Sequence, residues 1–372
     1  MSSSPRDDAQ TIISHLAEIG PRRAGSPQEA TVAAFVNVGL RRAGMGVTTH
    51  PLLVTPRRRQ LYGIAAACGI FAALTAIILP LPAIALSFAA VIILALDAVG
   101  IPLARLGPSR SSQTIIGTQA ISSDADAGPR VPRWRVVLLA PLDSPVVAEG
   151  IAALAGHTPA AAYARIIALA LVALAALVDL LFPYRGWVLL AVPASILLAL
   201  QIVAALRGPR PAAHDGGVGA LTTLLLAAQR LRGLEHVEIW AVAVGATSLD
   251  SVGVEDLLNI YPFEPDHTLL IVLEELSGDQ LRCRVCARAA RQEVAGLVHA
   301  AADTLALSMG DVSAAMCGPL DEPLRRRGMR SLTLYSDDAR RVVAGNRRAN
   351  PHLSESATGL IAAIMGQLED AG

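Results

Sequence analysis

The sequence is 372 residues long, 53% hydrophobic and only 17% charged, with a mean hydropathy of +0.49. This composition excludes an intrinsically disordered chain, a collagen and a disulfide-built scaffold. The formal net charge is zero, so the composition does not point to nucleic acid as a partner.

The N-terminal segment, residues 1–60, predicts two helices and a strand. Apolar residues from Ile12 to Ile19 recur at helical spacing. The run Ser26-Pro27-Gln28-Glu29 is typical of a helix start, because Ser caps the helix, Pro fits its first position and Glu completes a capping box. We expect this second helix to end near Gly44 and a strand to cover Val47–Val54.

Two long stretches are nearly free of charge. Residues 61–104 contain one charged side chain, Asp97, and residues 160–206 contain three, which are Arg165, Asp179 and Arg185. A short connector divides each stretch into two apolar runs of about 20 residues, enough to cross a hydrocarbon core. The sequence therefore predicts two transmembrane hairpins, and hence four transmembrane helices, at 61–80, 83–104, 160–182 and 187–206.

Arginine residues mark one end of these predicted hairpins. Each predicted hairpin begins and ends on the side that holds residues 1–60, and its turn lies on the opposite side. The turn side carries only Arg185, whereas the side of residues 1–60 carries Arg57, Arg58, Arg59, Arg105, Arg110, Arg207 and Arg210. By the positive-inside rule the arginine-rich side is cytoplasmic. We therefore expect a multi-pass protein of the cell membrane, with the lipid bilayer as a partner and with residues 1–60, 105–159 and 207–372 folding together in the cytosol.

Strand-like and helical patterns alternate through the predicted cytosolic segments. Strand-like runs lie at 114–117, 136–140, 237–244, 269–273 and 331–335, and helical patterns lie at 220–231, 292–307 and 357–368. Several of the strands are apolar throughout, as in sheets that are covered on both faces. The pattern indicates an α/β domain with a mixed or parallel sheet.

The order of these pieces resembles peptidase family M twenty-eight, the co-catalytic zinc aminopeptidases. The resemblance rests on an ordered set of segments rather than on any single one: 15–26, 113–118 with 135–144, 213–221, 239–246 and 321–334. It implies a three-layer α/β/α zinc-exopeptidase-like domain, into which the two hairpins are inserted. It also implies a site with two zinc ions and a carboxylate general base.

Several of the family's chemical positions hold other residues in this sequence. The family's first motif, His-x-Asp-Ser, corresponds to Pro141-Leu-Asp143-Ser144, so the metal-binding His is replaced by Pro. The bridging Asp corresponds to Asp215. The Glu-Glu pair, a general base and a ligand, corresponds to Thr247-Ser248, and a hydroxyl group does not replace a carboxylate at neutral pH.

Three vestigial ligands remain by this resemblance: Asp215, Glu274 in place of a later Asp, and His352 as the final His. Each has an alternative interpretation. Asp215 suits the N-cap of the helix that follows, Glu274 and Glu275 can simply end a strand, and His214 is a candidate displaced ligand. The resemblance therefore implies a degenerate member of the family.

The loss of these groups favours a catalytically inactive protein that acts as a binding or scaffold module. A protein partner or a second copy of the chain is then expected, and no cofactor. The alternative is a membrane-tethered zinc metallo-aminopeptidase with a rearranged metal site, for which zinc is the cofactor. A third hypothesis, a membrane protein that handles small solutes or ions, is disfavoured because the four predicted helices hold few polar residues.

Two further residue pairs stand out. Cys283 and Cys286 have the spacing of a redox motif, but they lie in an alternating run in which they would face opposite sides of a strand, which favours plain strand residues. Asp97 is the one charged residue in the first apolar stretch, and such acids are functional candidates. We predict that Asp97 pairs with Arg165, near the start of the third predicted transmembrane helix, and joins the two hairpins.

Overall fold

The structure is a computed structural model that describes residues 8–54, 57–76, 78–98, 109–119, 121, 132–147, 154, 159–182, 188–207, 210–211, 217–249, 251–286, 290–305, 307, 318, 320–336 and 349–370. Contacts divide the chain into two compact units. The first, here called the sheet unit, comprises Met1–Val54, Arg110–Pro145 and Pro211–Gly372. The second, the hairpin unit, comprises Thr55–Ser109 and Val146–Arg210.

The described strands are β1 (Gly46–Val54), β2 (Arg110–Gln119), β3 (Trp134–Pro141), β4 (Val146–Val147), β5 (Arg210–Pro211), β6 (Val237–Val244), β7 (Thr268–Leu273), β8 (Leu281–Val285) and β9 (Arg330–Ser336). Seven of them form one sheet in the order β1-β2-β6-β3-β7-β9-β8, and β4 pairs with β5. Strands β6, β3, β7 and β9 are parallel. Strands β1 and β2 extend one edge in antiparallel pairing, and β8 closes the other edge.

The described helices are α1 (Ala9–Ile19), α2 (Pro27–Arg42), α3 (Arg57–Thr75), α4 (Pro80–Ala98), α5 (Pro159–Leu181), α6 (Val188–Arg207), α7 (Val218–Arg230), α8 (Val252–Ile260), α9 (Arg291–Thr304), α10 (Asp321–Arg326) and α11 (Pro351–Asp370). Of those in the sheet unit, α8 and α10 are not among the sequence-based predictions. The predicted strand at 237–244 coincides with β6, and the other predicted strands lie within observed ones.

Helices cover both faces of the large sheet. Side chains alternate along each strand, so neighbouring residues pack on opposite faces. In β3, Leu138 packs with α1, α2, α7, α9 and α11, whereas Val137 and Leu139 pack on the opposite face with α8 and α10. Strands β6 and β7 follow the same alternation. The predicted mixed α/β architecture is confirmed.

The start of α2 differs in one respect from the predicted capping box. Ser26 Oγ accepts a hydrogen bond from the backbone N–H of Glu29 at 3.2 Å, as predicted. The Glu29 side chain does not complete the box at Ser26 but accepts hydrogen bonds from the Gly25 N–H and, at 2.6 Å, from Ser112 Oγ. Glu29 is 1% exposed, so α2 buries a carboxyl group against the loop before it and strand β2.

Four helices form the hairpin unit. Helix α3 packs against α4 and α6, and α5 packs against the same two helices, so that the four form a ring. Alanine dominates the buried hydrophobic cluster of this unit, whose other members are Leu169, Val172 and Leu198, and the polar Ser87, Arg165 and Gln201 are buried as well. Large apolar side chains point outward instead: Phe71, Leu74, Leu81, Phe88, Leu181, Leu189 and Leu206 are 60–76% exposed.

The prediction of four transmembrane helices is not supported. Among the described residues, Ala161–Leu181 and Leu189–Arg207 are long and apolar enough to cross a membrane, whereas Leu61–Thr75 and Pro80–Leu96 are shorter. These shorter apolar stretches belong to α3 and α4, which as whole helices have 19 residues each. The first is short because α3 ends at Thr75, although the sequence stays apolar beyond it.

The structure describes one member of the predicted intramembrane pair. Arg165 is buried, its guanidinium lies 3.8 Å from the centre of the Tyr62 ring, and its Nη1 donates to the Leu154 carbonyl at 3.0 Å. The Asp97 side chain lies outside the described residues. Pairing of Asp97 with Arg165 therefore stays a prediction.

Candidate functional site

The residues singled out by the resemblance lie mainly at one edge of the large sheet. Strands β3, β6, β7 and β9 run parallel, so their carboxyl ends meet at this edge. Pro141 is the last residue of β3, and Asp143 follows it. Thr247 and Ser248 follow β6, and Glu274 follows β7. In open α/β sheets this carboxyl edge is the usual place for a ligand or active site.

Asp143 fastens the loop after β3 to the loop after β6. Its carboxylate is fully buried. Oδ1 accepts hydrogen bonds from the Thr247 N–H at 2.9 Å and the Thr247 hydroxyl at 2.6 Å, and Oδ2 accepts from the Ser248 N–H at 2.8 Å. Hydrogen bonds to a carboxylate are stronger than those between neutral groups. Asp143 thus holds in place the two residues that stand where the resemblance implies a Glu-Glu pair.

The loop held by Asp143 is strained. Ala246 and Ser251 are the described non-glycine residues with left-handed backbone, at φ 54° and 57°. Glycine favours this conformation, and other residues adopt it at a cost. Both residues are buried in the segment between β6 and α8. Strain of this kind occurs at functional loops that the surrounding structure over-determines.

A buried arginine joins the loop between α1 and α2 to the end of β3. Arg22 is 1% exposed, its N–H donates to Ser144 Oγ at 2.9 Å, and its Nε donates to the Leu142 carbonyl at 2.9 Å. The Ser144 N–H donates back to the Arg22 carbonyl at 2.8 Å. Gly217, at φ 77°, allows this approach, because a Cβ there would lie 3.3 Å from Pro141 Cγ and 3.7 Å from Arg22 Nη2.

Glu275 was not among the predicted ligands, but the charge of Arg22 acts on its carboxyl group. Burial raises the pKa of Glu275 to about 7, against the opposing effects of the Arg22 charge and the Gly217 N–H. Among the described residues, its buried Oε1 has no hydrogen-bond partner. The sequence offered one signal for this residue: neighbouring residues at a strand end face opposite sides of the sheet, so Glu274 and Glu275 cannot both face one site.

Glu274 belongs to a second polar cluster, on the α10 side of the sheet. Arg284 Nη2 donates to Glu274 Oε2 at 3.0 Å and to Asp321 Oδ2 at 2.7 Å. Asp321 also accepts hydrogen bonds from the Thr333 hydroxyl and from the Gly318 N–H. Burial raises the pKa of Glu274, and Arg284 opposes that effect. Burial acts against the charge of Arg284, but the two carboxylates outweigh it and raise the pKa of Arg284.

The structure describes two of the three predicted ligands, Glu274 and His352. His352 is exposed in the first turn of α11, on the opposite face from the Glu274 cluster. The start of α11 does lie near the carboxyl edge, since Asn350 Nδ2 donates to the Gly278 carbonyl at 3.2 Å. Asp215 and His214 lie outside the described residues. The metal-binding role of Asp215, Glu274 and His352 therefore stays a prediction.

The cysteine pair occupies two different environments. Cys283 is fully buried in the core beneath α9 and α11, and burial raises the pKa of its thiol to about 12. Cys286 follows the end of β8, and its Sγ lies 3.5 Å from Asp321 Oδ2. The two thiols thus face opposite sides of the sheet, and a pKa this high keeps Cys283 in its unreactive neutral form.

The described donors do not fit a pair of zinc ions. Such a site needs several nitrogen, sulfur or carboxylate ligands around each ion. Across the described ranges, no group of three or more His, Cys, Asp or Glu side chains is arranged to hold a metal ion. Pro141 has no side-chain atom that can bind a metal. Both Asp143 oxygens and the Thr247 hydroxyl already take part in the hydrogen bonds that join the loop after β3 to the loop after β6.

Solved structures with the same fold are zinc enzymes and cyclases. The chain is similar to the glutaminyl cyclase of Fimbriiglobus ruber (TM-score 0.54, 11% identity, 99% of this chain and 97% of that one). It is also similar to a zinc aminopeptidase of Bacillus subtilis (0.53, 13%, 98% and 96%) and a Zn-dependent exopeptidase of Parabacteroides distasonis (0.53, 14%, 97% and 98%). A scan against known protein families and a search of curated proteins find no match. The similarity therefore establishes the fold alone.

Proposed function

We propose that this chain is a membrane-embedded protein whose sheet unit keeps the zinc-exopeptidase fold but serves as a binding or scaffold module. Its partner is another protein or a second copy of the chain. The observation that carries this proposal is the set of hydrogen bonds between Asp143, Thr247 and Ser248. Both oxygens of the Asp143 carboxylate accept hydrogen bonds from these two residues.

Metal content and activity test the proposal together. We expect the purified full-length protein to contain fewer than two zinc ions per chain by elemental analysis, and to show neither aminopeptidase nor glutaminyl-cyclase activity after zinc is added. A zinc aminopeptidase carried through the same purification is the positive control. Two zinc ions per chain together with chelator-sensitive activity would overturn the proposal.

One observation favours the alternative, a membrane-tethered zinc metallo-aminopeptidase with a rearranged metal site. Glu275 has a buried, unpartnered Oε1 and a pKa raised to about 7 by burial, which suits a general base near neutral pH. If activity is found, Glu275→Gln should lower kcat by ~10²-fold or more. The exposed Glu255→Gln on α8 is the matched control and should leave kcat unchanged.

The exterior of the hairpin unit supports a place in the bilayer. In water, large apolar side chains pack inside a bundle, whereas in lipid small residues allow close helix packing and large ones face the acyl chains. The hairpin unit follows the second pattern, with an alanine interior and exposed Phe, Leu and Ile side chains. We propose that α5 and α6 span the membrane and that the sheet unit is cytoplasmic, on the arginine-rich side.

Cysteine labelling tests this topology. In a chain whose native cysteines are replaced, a cysteine at position 185, between α5 and α6, should react with an impermeant reagent added outside intact cells. A cysteine at position 123 should react only after the cells are opened. Labelling of position 123 but not of 185 from outside would invert the orientation. Extraction of the protein from membranes by alkaline carbonate would contradict membrane embedding.

A further inference from the structure

Among the described strands, β1 lies at one edge of the large sheet and pairs with β2 alone. Its nine residues pair along their whole length, from Gly46 opposite Thr118 to Val54 opposite Arg110. Five of these nine residues are exposed. An edge strand presents a row of backbone N–H and C=O groups on its outer side. Strand β1 therefore offers a pairing surface as long as the strand itself.

Few hydrogen bonds reach β1 besides those of its pairing with β2. In the ranges that the structure describes, they run from Thr118 Oγ1 to the Gly46 carbonyl, from Asn37 Nδ2 to Thr49 Oγ1, and between Tyr261 Oη and His50 Nε2. The first lies at the start of the strand, and the other two end on side chains. Across these ranges, the outward backbone groups of the rest of β1 have no hydrogen-bond partner, so they are available to a further strand.

Charged side chains do not protect this edge. Folded proteins often block an edge strand with charged residues. Strand β1 contains no Asp, Glu, Lys or Arg, whereas β8, at the other edge, contains two arginines. Two arginines lie beside β1 rather than in it: Arg110 begins β2 opposite Val54, and Arg41 of α2 donates to Asn37 Oδ1 at 2.8 Å. A second uncharged strand therefore pairs with β1 without placing like charges opposite each other.

Two copies of β1 are complementary to each other. If they run antiparallel with His50 opposite its own counterpart, all nine residues of each strand are paired. Val47 then lies opposite Leu53, so the Leu53 side chain, which is 70% exposed, gains an apolar neighbour at each end of the pair. Pro51 has no N–H to donate, and proline is tolerated in an edge strand where its nitrogen faces away from the neighbouring strand. Each copy therefore lacks one donor in such a pair.

We propose that β1 pairs with β1 of a second copy of the chain, so that two seven-stranded sheets join into one continuous sheet about a twofold axis. This inference rests on the proposed scaffold role and deepens it by naming the partner. A twofold axis lets the same surface serve on both copies. Backbone hydrogen bonds supply the affinity in strand addition. The full-length alignment and the contact of Val47 with Leu53 favour a second copy over an unrelated strand.

Disulfide cross-linking of the full-length protein in isolated membranes tests the pairing. In a chain whose native cysteines are replaced, His50→Cys should give a covalent dimer on mild oxidation. Residues directly opposite in antiparallel strands have Cα atoms about 4.5–5.5 Å apart, which a disulfide can bridge. Thr48→Cys, on the same face of the same strand, is the matched control. It would lie roughly 13 Å along the strand from its counterpart and should stay monomeric.

A second pair of variants tests the dimer without a cross-link. His50→Arg places two like charges directly opposite each other and should weaken the dimer roughly fivefold. His50→Gln keeps a polar, uncharged side chain and should dimerise as the unaltered protein does. Light scattering of the detergent-solubilised protein over a dilution series measures the dimer, and circular dichroism shows that both variants are folded.

Each other outcome counts against the paired strands. Monomers for both cysteine variants, or equal cross-linking of both, would overturn the pairing. A cross-link from position 50 to a different protein would show an unrelated strand at this edge instead of a second copy. Failure of the scaffold role is detected separately by zinc content and activity. An active zinc enzyme that still dimerises through position 50 contradicts only the scaffold role, and an inactive protein that stays monomeric contradicts only the pairing.

Discussion

Asp143 Oδ1 accepts hydrogen bonds from both the backbone N–H and the side-chain hydroxyl of Thr247. In the resembled family the first of these positions belongs to a metal-binding motif, and the second holds a carboxylate of the Glu-Glu pair. Here the two positions bind each other. Thr247, which stands where the resemblance implies a carboxylate, instead supplies two hydrogen-bond donors to the carboxylate of Asp143.

Removal of the Asp143 carboxylate should destabilise the sheet unit. Asp143→Ala leaves the half-buried N–H groups of Thr247 and Ser248 without their acceptor and removes a buried carboxylate that accepts three hydrogen bonds, so we expect the free energy of unfolding to fall by about 3 kcal/mol. Denaturant unfolding followed by tryptophan fluorescence measures it. Asp266→Ala, at a side chain 87% exposed, is the control and should change the free energy by less than about 0.5 kcal/mol. Equal effects of the two variants would contradict the role of Asp143.

Arg284 should be essential for the second polar cluster. Arg284→Met leaves Glu274 and Asp321 as buried carboxylates without their cation, which costs about 3–5 kcal/mol of the free energy of unfolding at pH 8. Because burial then raises the pKa of Glu274 without the opposing charge of Arg284, the variant should regain stability as the pH falls toward 5. Arg326→Met, at an exposed arginine of α10, is the control. A loss independent of pH would contradict the explanation.

Glu275 should make the stability of the protein depend on pH. Its folded-state pKa of about 7 lies above the usual value of 4.5, because burial disfavours the charged form. The folded state then binds the proton more tightly, so this contribution is fully present below pH 4.5 and is lost as the pH rises toward 7. The loss amounts to about 3 kcal/mol.

Glu275→Gln isolates this contribution. The difference in free energy of unfolding between the unaltered protein and the variant should change between pH 4.5 and pH 7.5, whereas the difference for the exposed Glu255→Gln should stay constant. Parallel pH profiles for all three proteins would show that Glu275 titrates normally.

Asp97 and Arg165 should be energetically coupled. We predict that Asp97→Asn and Arg165→Gln each destabilise the protein in detergent, and that the double variant loses much less than the sum. Arg165 also stacks on Tyr62, so Tyr62→Leu combined with Arg165→Gln serves as a second cycle for that contact. Strict additivity of the first pair would mean that Asp97 and Arg165 do not interact.

The architecture of the sheet unit was predictable where the pattern was strong. The apolar run that became β6 is bounded by turn residues, and its predicted and observed limits agree at Val237 and Val244. Helix α8 was missed because it begins after Ser251, whose left-handed backbone makes no side-chain cap, and helix α10 has only six residues. Composition alone also did not show that α3 stops at Thr75, since the residues that follow remain apolar.

The site was less predictable than the fold. The resemblance singled out Pro141, Asp143, Thr247 and Ser248, and all four lie at the carboxyl ends of β3 and β6. Asp143 is hydrogen-bonded to Thr247 and to Ser248. The sequence could not show which of Glu274 and Glu275 faces the site. That depends on the face of the sheet toward which each side chain turns after β7 ends. Only the positions of Arg284 and Arg22 distinguish the two glutamates.

The strand order β1-β2-β6-β3-β7 has a consequence for synthesis of the chain. Strand β3 is made before the second hairpin, yet both of its neighbours, β6 and β7, follow that hairpin. About 100 residues separate the end of β3 from the end of β6, which takes roughly 5–20 s to translate at ~5–20 residues per second. During that interval the apolar β3 lacks both of the strands that it pairs with in the folded sheet. The second hairpin is therefore synthesised before the sheet can close, and a ribosome that stalls between the two leaves a chain with an open, aggregation-prone β-edge.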